Sequence, residues 1–162
     1  MLDEQQQADV ARAAQALSGA LHAAVRATID ERSPDPARNT IAAVADTGAR
    51  ALAPDGANPA AMMTTYLLLH RLSLVREALA DEPDRVERVL GWIEENLGKR
   101  YRLRARYTAV ALESESGVDE VGEYARALAG DFLPSILWLL AGAVACYGDG
   151  DVLWLVGLES AE

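Results

Sequence analysis

Sixteen consecutive residues, Phe132–Tyr147, carry no charge and stand between Asp131 and Gly148. As a helix the run reaches about 24 Å. That is short of the roughly 30 Å hydrocarbon layer of a membrane, and no cluster of Lys or Arg flanks it. We read it as a buried core helix capped by Asp131. Such a helix needs partners on every side, so the rest of the chain must supply amphipathic elements to cover it.

The remaining sequence offers them at helical spacing. Val10, Ala14, Leu17, Leu21, Ala24 and Thr28 recur at alternating steps of four and three, a heptad-type stripe that predicts a first helix over 3–29. Ser33-Pro34-Asp35-Pro36 ends it, because proline disfavours helix in the residue before it. Asp35 and Pro36 then suit the cap and first position of a second helix reaching Ala53, with Ile41, Val44 and Leu52 as its apolar positions. After the turn Pro54-Asp55-Gly56-Ala57, Asn58-Pro59 repeats that start for a third helix over 59–80, apolar on most sides. Asp81-Glu82-Pro83 opens a fourth, in which Val86, Val89, Leu90, Ile93 and Leu97 form one stripe and Gly98 is the stop.

Two segments are ambiguous. Over 101–112, Arg102, Arg104 and Arg106 alternate with Leu103, Ala105 and Tyr107 as in a strand, yet Leu103, Tyr107, Val110 and Ala111 share a helical face; helix is preferred. A helix over 118–128 follows. Gly148-Asp149-Gly150-Asp151 is a turn whose second Asp caps a short apolar element over 152–158. The expected fold is all-α: one domain spanning 1–162, a compact bundle of six or seven helices around two apolar central helices, 59–80 and 132–147. The alternative is α+β, with a small hairpin from 101–112 and 152–158.

Composition bounds the chemistry. Apolar residues make up 51% and charged residues 25%, an ordinary globular balance. The single cysteine, Cys146, precludes a disulfide or a cysteine-based zinc site within the chain. The polar N-terminus lacks the basic-then-apolar order of a signal peptide, and a cytoplasmic location is expected. The two histidines, His22 and His70, sit in helical apolar surroundings and read as boundary or hydrogen-bonded residues. Neither has Glu three positions before it, as a di-iron bundle would require. No Gly-rich phosphate loop, dinucleotide fingerprint or nucleophile elbow is present. No metal or cofactor is expected, and an enzyme is disfavoured.

One feature of the charge is uneven. Lys99, Arg100, Arg102, Arg104 and Arg106 fall within eight residues that contain no acid, in a chain of net charge −10. Tyr101 and Tyr107 bracket the stretch, and the acidic stretch 113–123 follows it. Three uses compete: pairing with acids on neighbouring helices, binding an acidic protein partner that includes a second copy, and binding phosphate groups or nucleic acid. The overall acidity disfavours nucleic acid, whose binding rests on neutralising phosphates. The function expected from this pattern is a non-enzymatic helical interaction or regulatory module that forms a homo-oligomer. Its apolar surplus would come from helix 59–80, Trp138 and Trp154. An acidic chain also suits a basic protein partner. The alternative is a pocket between helices for an anionic small molecule, as binder or enzyme, lined by Tyr66, His70, Trp92, Tyr101 and Tyr107.

Overall fold

The computed structural model describes residues 3–50, 59–109 and 129–161. Seven α-helices occur in this part: α1 (Glu4–Glu31), α2 (Asp35–Arg50), α3 (Pro59–Ala78), α4 (Arg85–Asn96), α5 (Lys99–Ala109), α6 (Phe132–Tyr147) and α7 (Leu153–Ser160). A 3₁₀ turn, Ala129–Asp131, leads into α6. No strand occurs among the described residues, and both segments of the α+β alternative are helical where described. The expected helix over 118–128, the acidic stretch 113–123 and the turn at 54–57 lie outside the described residues.

α6 is the axis of the bundle. It touches α1, α2, α3, α4 and α5, and its residues from Pro134 to Val144 are all buried. The reason is compositional: with no charged side chain on any face, every direction around this helix gains from leaving water. α3 is covered on one face only. Leu68, Leu72 and Val75 are buried, whereas Met62 and Tyr66, one turn apart, are exposed.

Local rules account for the helix ends. Asp3 and Gln6 form a reciprocal capping box at the start of α1, with Gln6 N–H donating to Asp3 Oδ1 at 2.7 Å and Asp3 N–H donating to Gln6 Oε1 at 3.0 Å. Gly98 stops α4 with φ 124°, a backbone conformation costly for residues with a Cβ. Its N–H donates to the Ile93 carbonyl at 3.0 Å, and its own carbonyl accepts from Tyr101 N–H at 3.1 Å, so α5 begins at once. The N-cap position of α7 is Val152, which makes no side-chain cap, and the Asp151 carboxylate just before it accepts from Leu153 N–H at 3.0 Å.

Close packing decides which faces meet. A Cβ at Gly142 of α6 would lie 2.8 Å from Val89 Cγ1 and 3.2 Å from the Val89 carbonyl oxygen, so only glycine lets α4 and α6 approach this far. Small residues do the same for α5, which buries Ala105, Thr108 and Ala109. Thr108 Oγ1 lies 2.8 Å from Ser135 Oγ on α6, a buried hydroxyl pair. Leu103 and Tyr107, which share a helical face in the sequence reading, therefore point outward. The helix packs through these small residues and Tyr101, and Leu103 and Tyr107 are left in water.

Candidate functional site

The cations of α5 divide between two sides of the helix. Arg102 turns toward α4, donating to Glu94 Oε2 at 2.7 Å and Glu87 Oε2 at 2.9 Å. These are partly exposed pairs, each worth about 0–1 kcal/mol. Arg104 reaches Asp131 Oδ2 at 2.9 Å. Lys99, Arg100 and Arg106 remain exposed, and neither Lys99 nor Arg106 makes an ion pair among the described residues. Leu103 and Tyr107, 57% and 55% exposed, lie on this outward side with them. Leu103 lies four residues from both Lys99 and Tyr107 and three from Arg106, which makes a cationic stripe with an apolar centre.

Asp131 joins α2, α5 and α6. Arg38 grips its carboxylate with two hydrogen bonds, Nε to Oδ1 at 3.0 Å and Nη2 to Oδ2 at 2.9 Å. The carboxylate expected to cap α6 makes no cap hydrogen bond, because the two guanidinium groups occupy it. Hydrogen bonds from Arg38, then the charges of Arg38, Arg104 and Arg100, hold the Asp131 carboxyl below its ordinary value against the opposing effect of burial. The same bonds push Arg38 above the usual guanidinium range. The Arg38 guanidinium also lies over two rings, 5.1 Å from the Tyr101 centroid and 5.7 Å from that of Trp138.

A lowered carboxyl pKa sets a pH window. The stabilisation from Asp131 is complete above its unfolded-state value near 3.8 and is lost as pH falls through the lower folded-state value. Urea melts from pH 6 to pH 2 are expected to show the protein losing its stability advantage over Asp131→Asn below about pH 4. A constant difference across that range would show that the carboxylate is not held by its arginines.

A second polar tie joins α1, α3 and α7. Arg71, only 5% exposed, forms an ion pair with Glu159 through Nε. It also donates from Nη2 to Ser18 Oγ at 2.5 Å and from Nη1 to the Leu67 carbonyl at 3.1 Å. His22 Nε2 lies 2.9 Å from Glu159 Oε2, so the ring donates to the carboxylate. His22 is thus a hydrogen-bonded boundary residue, as its surroundings in the sequence suggest.

The five candidate pocket residues are spread over three helices. Tyr66 and His70 stack on α3 with centroids 6.0 Å apart and planes 2° from parallel. Tyr101 meets Trp138 edge-on at 5.3 Å. Trp92 is half-buried on α4 beside Gly142, and Tyr107 is exposed on α5. Trp138 is completely buried and so is not part of any apolar surplus at the surface. Burial pushes the Cys146 thiol up, the opposite of what a reactive nucleophile needs.

Comparison with protein-family models, with curated proteins and with solved structures finds no match to this chain. No described helix is long and apolar enough to cross a membrane.

Sequence reasoning missed Arg38, Arg71 and Glu159. A signal existed for the last two. Arg71 is the one charged residue within the run Leu67–Val75, and Glu159 directly follows the uncharged 152–158. A charge on an apolar surface is held there only when paired. Nothing in the sequence marked Arg38 as the partner of Asp131.

Proposed function

We propose that this chain is a non-enzymatic helical interaction module that self-associates. The observation that carries the reading is the uncovered first half of α1. Residues 3–13 are all exposed, yet Val10, 46% exposed, and the half-buried Ala14 and Leu17 continue the stripe on which Leu21, Ala24 and Thr28 are buried. An isolated helix of about 12–15 residues is marginal in water, and helices in proteins are held chiefly by packing of an apolar face. This half of α1 has such a face and no cover among the described residues. Met62 and Tyr66 on α3, with Leu103 and Tyr107 on α5, add exposed apolar surface elsewhere.

Size-exclusion chromatography with light scattering tests the reading. A mass above that of one chain at tens of micromolar is expected, rising with concentration. A clean monomer throughout that range would overturn it.

A further inference from the structure

The uncovered half of α1 and the outward face of α5 are complementary, and we infer that they bind each other between copies. This rests on the self-association proposed above and specifies its contact: the first half of α1 in one molecule lies on the outward face of α5 in a second. Three observations carry it.

The signs are opposite. Residues 3–16 hold the acids Asp3, Glu4 and Asp9 against the one base Arg12, which pairs with Asp9 within α1, and so keep a net negative charge, whereas the α5 face offers Lys99, Arg100 and Arg106. Lys99 and Arg106 are exposed and form no ion pair among the described residues.

The apolar patterns match. Val10 leads the exposed part of the α1 stripe, and Leu103 with Tyr107 forms the apolar centre of the cationic face. Both are narrow stripes at steps of three and four, the form in which one helix packs on another.

The lengths agree. α5 has 11 residues, about 16 Å of helix, and the uncovered part of α1 extends over a similar distance. The contact joins two different surfaces. It closes as a dimer only if each molecule gives its α1 to the other, and otherwise it propagates as a chain. Since the whole chain has a net charge of −10, copies repel at long range. The local pairing of opposite charges is what sets the docking site against that repulsion.

A charge swap tests the contact on the full chain. Variant one carries Lys99→Glu and Arg106→Glu; variant two carries Glu4→Lys and Asp9→Lys. All four positions are exposed, and circular dichroism checks that each variant keeps its helices. Each variant alone is expected to weaken association about tenfold or more. An equimolar mixture of the two, and a single chain carrying all four changes, are expected to recover it. Added salt at 0.5 M is expected to weaken the wild type, by screening.

An oligomeric wild type whose variants associate equally well overturns this contact and leaves self-association standing. A monomeric wild type removes both. Loss in variant one alone, without rescue by variant two, overturns α1 as the occupant and points to another acidic surface, such as the exposed Asp81, Glu82 and Asp84. An oligonucleotide gel shift at low salt that is abolished by variant one would assign the α5 face to nucleic acid and overturn the protein contact.

Discussion

Trp138→Ala is expected to lower stability by about 3–5 kcal/mol, the cost of truncating a large aromatic side chain in a packed core. Trp138 is the largest fully buried side chain in the bundle, near the middle of α6. Its ring meets Tyr101 of α5 edge-on and lies beneath the Arg38 guanidinium of α2. Its Nε1–H donates to the Pro34 carbonyl at 3.2 Å, between α1 and α2. Alanine leaves a cavity, takes from that carbonyl the closer of its two donors (Arg38 N–H remains at 3.5 Å), and removes one of the two rings under Arg38. For a chain of this size the melting temperature should fall by roughly 10 °C. Trp138→Phe should cost less, since it keeps a ring but loses the hydrogen bond. Urea denaturation measures both, and a loss below about 1 kcal/mol for the alanine variant would show that α2, α5 and α6 do not meet around this ring.

Glu159→Ala is expected to cost about 3 kcal/mol, the low end of the cost of leaving one partner of a buried ion pair alone. The low end applies because the Glu159 side chain retains 19% exposure and water can reach it. Arg71 bears the consequence. Its guanidinium keeps Ser18 and the Leu67 carbonyl but loses its only countercharge among the described residues. Loosening should appear where α7 packs on α3, and hydrogen exchange along α7 would locate it. Replacing both partners, Arg71→Leu with Glu159→Leu, is expected to recover most of the loss, because buried apolar pairs substitute well for buried ion pairs. If the single variant is as stable as the parent, the Arg71–Glu159 pair is not a structural tie.

How far the sequence disclosed this structure varies from element to element. The bounds of α6 were legible to the residue, since an uncharged run between Asp131 and Gly148 admits few other readings. α4 was legible too, from its apolar stripe and the Gly98 stop. α5 was legible as a helix but not in its orientation. Leu103 and Tyr107 were seen to share a face, but which way that face points was not legible, because the separation between α5 and α6 is set by two helices together. Of the basic stretch, the sequence showed the concentration of charge; it did not show that Arg102 and Arg104 turn inward while Lys99, Arg100 and Arg106 stay out.

Periodicity, caps and glycine stops act within a turn or two of helix, so a single stretch of sequence determined the helical class and most helix ends. The ties that hold the helices in place join residues far apart in the chain: Arg38 to Asp131 across 93 positions and His22 to Glu159 across 137. No local pattern encodes which carboxylate an arginine will meet. Only the packed structure decided that, because desolvation makes a partner necessary and the geometry of the bundle settles which one lies within reach.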